Sequence, residues 1–225
     1  MTRLLSFVAL LLVAPLLGAD EAAPSEKKEG EAKWQALFNG KDLEGWKSTE
    51  FGGEGEVAVK EGAIVLNAGS DMTGITYTGK LPKVNYELVV EAQRLEGVDF
   101  FSAITFPVGE SHVSFVPGGW AGSVTGISSI NDRDASDNET TQFTAFKDKT
   151  WYKFNIRVTG ERILIAVDGK HLLDVEHNGK KLSTRGEVDL SKPLGISTWN
   201  TKGAVKTIKL REMTPEEVKS TNEEK

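Results

Sequence analysis

The chain has 225 residues, 39% of them hydrophobic and 27% charged, which is the composition of a globular protein with one sizeable core. Its formal net charge is −6, and it has no cluster of Lys and Arg, so no nucleic-acid partner is expected; phosphate binding needs concentrated basic charge. With no cysteine, it can form neither disulfides nor Cys-ligated zinc or iron–sulfur centres, and it can do no thiol chemistry.

Residues 1–19 read as an export signal. Arg3 gives the positive end, Leu4 to Leu17 is an apolar run of 14 residues, and Leu17-Gly18-Ala19 offers a small residue at the cut. A membrane span needs about 20 such residues, so an uncleaved anchor is the weaker alternative, and no stable span is expected once the signal is gone. The expected location is periplasmic or secreted. Residues 20–33 are rich in Ala, Glu, Lys and Ser and read as a disordered linker that cannot bury enough surface to fold.

From residue 34 to 213 the chain reads as strands. Val57–Lys60, Ala63–Asn67 and Ile75–Thr78 come first. Val84, Tyr86, Leu88, Val90 and Ala92 then alternate with Asn85, Glu87, Glu91 and Gln93, the period of a half-buried strand. Phe100–Phe106, His112–Val116 and Ser123–Ile130 follow. Phe154, Ile156 and Val158 alternate with polar residues, and Ile163, Ile165 and Val167 lead through Asp168-Gly169 to Leu172 and Val175. Asp-Gly between two apolar strands predicts a hairpin, because both turn positions need positive φ. Leu194–Trp199 and Val205–Arg211 complete the set. At residues 214–225, Thr214-Pro215-Glu216-Glu217 has the order of a capped start to a short helix. The predicted class is all-β, an antiparallel sandwich of the jelly-roll type with a short C-terminal helix.

Three groups of side chains carry candidate chemistry. His112 and Ser114 share one face of a strand and would line a polar groove, or His112 is a histidine satisfied within the sheet. Asp132, Asp134, Asp137 and Glu139 put four carboxylates within eight residues, a set that would hold a divalent cation such as Ca²⁺. The pattern lacks the glycine of a calcium loop and contains Arg133, so a solvated acidic loop is the other reading. Trp46, Trp120 and Trp199 have faces on which sugar rings stack, with Asn200 beside the last of them. Trp34 and Trp151 read as core or strand-start residues.

The order Leu37-Phe38-Asn39-Gly40-Lys41-Asp42-Leu43-Glu44-Gly45-Trp46 resembles the opening of the bacterial 3-keto-disaccharide hydrolase domain, a family also described as 3-keto-glucoside lyases and 3-keto-2-hydroxy-glucal hydratases. Glu61-Gly62-Ala63-Ile64, Asn85-Tyr86-Glu87-Leu88, Trp151-Tyr152-Lys153-Phe154, Val167-Asp168-Gly169-Lys170 and Pro193-Leu194-Gly195-Ile196 continue the resemblance over residues 34–213. It implies an exported protein with a concanavalin-like sandwich. The chain departs from the family's pattern where Ser102-Ala103-Ile104-Thr105-Phe106 lacks an arginine. It departs again at Ser111-His112-Val113-Ser114-Phe115, where His112 and Ser114 replace a Glu-like and a Gln-like position.

The activity implied by the resemblance is cleavage of 3-keto-glycosides by elimination and hydration. The role assignments that follow make His112 the acid or base, with Asp132 or Asp134 as its partner or as a metal ligand. Trp120, Trp199, Ser114, Arg133 and Asn200 would hold the sugar. The expected partner is a carbohydrate and the cofactor, if any, a divalent cation. A non-catalytic, lectin-like binding domain is the rival reading, and an envelope protein that only packs against partners is a third.

Overall fold

The computed structural model describes residues 33–224. The expected export signal and all but the last residue of the expected linker lie outside the described residues. Among the described residues no helix is long and apolar enough to cross a membrane.

Two antiparallel sheets form a sandwich. In chain order the strands are β1 (Gln35–Ala36), β2 (Trp46–Ser48), β3 (Val57–Lys60), β4 (Ala63–Leu66), β5 (Met72–Tyr77), β6 (Tyr86–Glu96), β7 (Ala103–Val108) and β8 (Ser111–Gly118). They continue as β9 (Val124–Ser128), β10 (Gln142–Phe143), β11 (Tyr152–Val158), β12 (Arg162–Val167), β13 (Lys170–Glu176), β14 (Gly195–Trp199) and β15 (Lys202–Glu212), followed by the helix α1 (Pro215–Glu223). The first sheet runs β13-β12-β11-β6-β15-β4-β3, with β1 also paired to β15; the second runs β10-β9-β8-β7-β14-β5-β2.

Alternation decides which faces meet. Leu88, Val90, Ile156 and Ile208 of the first sheet pack against Ile104, Phe106, Phe115, Ile127 and Ile196 of the second, all at most 1% exposed. Phe101, Phe146, Tyr152 and Phe154 close one end of this core with tilted and edge-on ring contacts 4.8–6.3 Å apart. The predicted hairpin turn is present between β12 and β13, with Asp168 at φ 50° and Gly169 at φ 77°. The predicted helix start is present too. Thr214 accepts from Glu217 N, and the Glu217 side chain reaches back to Thr214 N.

The structure departs from the expected pattern at three places. Val84 and Asn85 precede β6 rather than forming it, because Asn85 is left-handed at φ 58° and turns the chain. Trp46 is a core residue, 6% exposed, with its indole N–H donating to Leu37 O at 2.8 Å, and is not free to stack on a sugar. Glu87, expected on a polar face, is 3% exposed.

Burial of Glu87 follows from what covers it. Arg211 on β15 donates to the Glu87 carboxylate (Nε to Oε2, 2.7 Å) and, through the same guanidinium, to both oxygens of Glu217 on α1 at 2.9 and 2.7 Å. Asn155 donates to the other Glu87 oxygen at 2.6 Å. The cation therefore ties the helix to the sheet and neutralises a buried carboxylate. Replacing Arg211 by Met strips Glu87 of its closest cation, which should cost about 3 kcal/mol in urea unfolding, near the lower end for breaking a buried pair because Asn155 and Arg157 remain. Replacing Glu87 by Gln as well should recover part of that loss. Equal losses in the single and double variants would show that the pair is not what holds the face.

Candidate functional site

The outer face of the second sheet is built of small side chains. Gly74 and Thr76 on β5, Gly195 and Ser197 on β14, Ala103 and Thr105 on β7, Ser114 on β8, and Gly126 and Ser128 on β9 all point away from the core. The segment 181–192 lies across this face. It is tied to the end of β9 by Ser129 N to Ser183 O at 2.7 Å, Ser183 N to Ser129 O at 3.1 Å, and Asn131 N to Lys181 O at 2.8 Å. At its other end Thr76 Oγ1 donates to Leu190 O at 2.9 Å. The 3-10 turn over Gly186–Ser191 sits so close that a Cβ on Gly195 would be 2.6 Å from Ser191 Cβ.

Between this segment and the far end of the sheet is a cleft of about 220 Å³. Ala103, Ser114, Val116 and Ser128 contribute to its floor, with Met72 beside them. Arg185, Glu187 and Val188 make one wall; Asp99, Phe100, Trp120 and Trp199 make the other. Aromatic faces thus oppose a charged pair, with hydroxyls beneath, which is the mixture a sugar ring uses: apolar C–H faces to stack and hydroxyls to hydrogen-bond.

The aromatic wall is held by a network that depends on Asp99 and Arg94. Asp99 accepts from Phe100 N at 2.8 Å with one oxygen and from Ala121 N at 2.9 Å with the other. The second bond fixes a left-handed turn after β8, in which Trp120 and Ala121 have φ of 50° and 59°. Non-glycine residues adopt this conformation only when their surroundings hold them there. Arg94, only 8% exposed, lies under the same turn. Its guanidinium donates to Asp148 at 2.6 Å, to Phe146 O at 2.6 Å and to Asp99 O at 3.5 Å, joining the loop before β11 to the loop after β6. Trp199 is set by its backbone N–H, which donates to Phe100 O at 3.1 Å. With its amide nitrogen facing the carbonyls of Gly69 and Ser70 (3.2 and 2.7 Å), Asn200 accepts from the Trp199 indole N–H at 3.3 Å.

The charged wall is one connected set. Arg185 donates to Glu187 at 2.7 Å and to Asp134 at 2.8 Å. The hydrogen bond from Arg185 holds the Glu187 carboxyl below the usual glutamate range, and Glu187 in turn raises the Arg185 guanidinium.

Of the residues singled out from sequence, the cleft brings together Ser114, Trp120 and Trp199. Ser114 shares a hydrogen bond with Thr105 Oγ1 at 2.8 Å. Asp134 stands behind the charged wall, holding Arg185, while its other oxygen caps Ser136. Asp132 pairs with Lys181 at 2.7 Å, and Arg133 faces Asp137 at 3.5 Å; neither lines the cleft. Asn200 acts behind Trp199. His112 lies one step beyond Ser114 on the same face, outside the cleft lining. Burial, then Lys192 and Lys83, push its pKa below the ordinary histidine value, so it is neutral near pH 7.

The acidic loop does not fit a cation. Asp132 and Asp134 face Lys181 and Arg185 instead of converging, and among the described residues no three His, Asp or Glu side chains are grouped to hold a metal. Asp99, Arg185 and Glu187 carried no sequence signal. Asp99 follows an ordinary turn, and Arg185 and Glu187 lie in a segment without periodicity, so only the crossing over the sheet brings them to the site.

Residues 33–211 match the family of 3-keto-alpha-glucoside-1,2-lyase-like domains. No curated protein matches the sequence. Among solved structures, the apo Crh5 transglycosylase is similar at TM-score 0.55 and 14% identity, covering 82% of this chain and 85% of that one. Domain 4 of AbnA, a GH43 extracellular arabinanase from Geobacillus stearothermophilus in complex with arabinotriose, is similar at TM-score 0.54 and 17% identity, with 84% and 98% covered. SCLam, a non-specific endo-beta-1,3(4)-glucanase from family GH16, gives TM-score 0.51 at 12% identity, with 81% and 90% covered. At these identities the likeness is one of fold.

The network beneath Trp120 makes a prediction. Asp99→Ala removes the carboxylate that accepts from Ala121 N in the turn and from Phe100 N beside it, without opening the core. It should weaken sugar binding about tenfold, read by tryptophan fluorescence, and lower the melting temperature by only a few degrees. Unchanged affinity in a folded variant would mean that Trp120 does not contact the ligand.

Proposed function

The chain belongs to the 3-keto-alpha-glucoside-1,2-lyase-like domain family, a carbohydrate-active family, and from that premise we propose that it cleaves 3-keto-glycosides in the cleft between residues 181–192 and the Trp120 turn. The observation that carries this reading is the cleft itself, in which Trp120 and Trp199 face the Arg185–Glu187 pair across a mixed floor that includes the Ser114 and Ser128 side chains.

The chemistry follows from the ketone. A carbonyl at C3 acidifies the proton on C2, and a carboxylate is a competent base for a proton beside a carbonyl. Glu187 takes that proton, breaking the C2–H bond, and the electron pair moves onto the C3 oxygen as an enolate. The Arg185 guanidinium stabilises that negative charge. The enolate then collapses, forming the C1–C2 double bond and breaking the bond from C1 to the aglycone oxygen, which leaves with a proton from the protonated Glu187 or from water. Addition of water to the resulting enone makes the net change a hydrolysis. Export to the periplasm or outside the cell, proposed from residues 1–19, would give the protein access to sugars there.

Glu187 carries the base role because only it and Asp99 are carboxylates in the lining, and both Asp99 oxygens already accept backbone N–H groups. In this arrangement His112, beyond Ser114, and the Asp132 and Asp134 carboxylates act on the electrostatics of the site rather than on the sugar. A binding-only, lectin-like protein would use the same aromatic wall and need no base. That reading is favoured by one observation: Glu187 is depressed by Arg185 rather than tuned towards neutrality.

The test is to follow free 3-keto-sugar and enone absorbance from a 3-keto-glucoside. Glu187→Gln should reduce kcat at least a hundredfold while leaving KM within a few fold. Because the folded Glu187 pKa is lowered, its base form persists below the ordinary glutamate value. The acid limb of kcat/KM should therefore lie below about 4.3 and move to higher pH in Arg185→Gln. Full turnover by Glu187→Gln would contradict the assignment. Sugar binding without product in the unaltered protein would favour the lectin-like reading.

A further inference from the structure

The loop between β9 and β10 folds back over the outer face of β9 and carries Asp134 to the charged wall. Ala135 is fully buried there, and a Cβ on Gly126 would stand 3.1 Å from Ala135 Cβ. Asn138 Nδ2 donates to Ile127 O at 2.8 Å and to Arg133 O at 3.1 Å, and Thr140 Oγ1 accepts from Ile127 N at 2.8 Å. These bonds fix the backbone on both sides of Asp134. Its Oδ1 accepts from Ser136 N at 3.0 Å and from Ser136 Oγ at 2.6 Å, while its Oδ2 accepts from Arg185 Nη1 at 2.8 Å.

Glu187 meets the same guanidinium from the other side, at 2.7 Å to Nη2 and 3.4 Å to Nε. Its side chain is 48% exposed against 25% for Asp134, and it lines the cleft whereas Asp134 does not. A guanidinium has five N–H donors. Three of those on Arg185 go to the two carboxylates, and the other two have no acceptor among the described residues. The two carboxylates therefore have different tasks. A base must turn its oxygens to the sugar, and a cation held by that base alone would move with it. A carboxylate fixed behind the wall keeps the cation in place.

We infer that Asp134 is the positioning residue for Arg185, holding the guanidinium at the wall so that its open N–H groups meet the C3 oxygen as that oxygen takes up negative charge. The inference rests on the reading of Arg185 and Glu187 as the reacting pair. Stabilisation of this kind depends on donors that are already in place when the charge develops. The position calls for a carboxylate in particular, because both of its oxygens accept. Asparagine has the same shape but a single acceptor oxygen, so it satisfies Ser136 or Arg185 and not both.

The test is steady-state turnover of a 3-keto-glucoside by the unaltered protein and three variants. Asp134→Asn and Asp134→Ala should each lower kcat about tenfold and keep KM within about twofold, because the enolate forms only after the sugar is bound. Glu139→Gln breaks a different ion pair from the same loop, Lys180 to Glu139 at 2.8 Å, and does not touch Arg185, so it should leave both constants unchanged. Thermal melting identifies the folded variants, and the isosteric Asp134→Asn carries the test if Asp134→Ala does not fold. Unchanged kcat in folded Asp134→Asn would overturn the assignment and leave the cleft reading standing. An equal loss of kcat in Glu139→Gln would overturn it too, by showing that the loop only braces the crossing segment. No product from the unaltered protein would overturn the cleft reading, and the role of Asp134 with it.

Discussion

The approach of residues 181–192 to the outer face of the second sheet is the constraint on which the site depends. Gly195 has no side chain, and a Cβ there would stand 2.6 Å from both Ser191 Cβ and Ser191 O, a separation no packed structure tolerates. Its neighbours on that face are Thr76, Thr105, Ser114, Ser128 and Ser197, none larger than threonine. Large residues there would lift the segment off the sheet. Short hydroxyl-bearing ones let it lie flat, and they supply partners such as Thr76 to its carbonyls. One pattern of small residues therefore builds a wall, a floor and the polar character of that floor.

The opposite wall is held by electrostatics instead of close packing. Arg94 is a nearly buried cation whose donors go to one carboxylate and two carbonyls on two separate loops, and Asp99 anchors the left-handed Trp120 turn through the Ala121 amide while its other oxygen accepts from Phe100 N. Charge-assisted bonds of this kind are the stronger class, and here they offset the conformational cost of Trp120 and Ala121. An aromatic ring at a cleft mouth binds well only if it is already in place, because ordering it on binding would subtract from affinity. The two walls differ in kind: the Trp120 side is braced from beneath, whereas Arg185 and Glu187 brace each other across half-exposed positions.

Most of the fold was legible because sheets write their faces into the sequence with period two. Val57–Lys60 is a strand as read, the Asp168-Gly169 turn lies where its chemistry requires, and the cap at Thr214 is present with both hydrogen bonds. What failed was legible only in three dimensions. Asn85 turns the chain although the alternation runs through it, and Glu87 is buried because Arg211, 124 residues away, covers it. The candidate site divides in the same way. Trp120 and Trp199 stood out because a flat aromatic face can stack on a sugar ring, and both line the cleft. Glu187 and Arg185 did not, since their segment has neither periodicity nor motif and gains its meaning only by crossing the sheet. Asp132 and Asp134 resembled a cation loop by spacing, but the same crossing sets Lys181 and Arg185 against them.

The central claim is that the sugar lies between the Trp120 turn and the crossing segment, and the protein carries its own reporters for it. Each of the five tryptophans gives one indole N–H signal in a ¹H–¹⁵N spectrum of labelled protein. Titration with a 3-keto-glucoside that resists cleavage should shift the Trp120 and Trp199 signals and leave Trp34, Trp46 and Trp151 where they are. Movement of Trp34 or Trp151, which accompany the first sheet, with Trp120 and Trp199 unmoved, would place the ligand elsewhere and contradict the account.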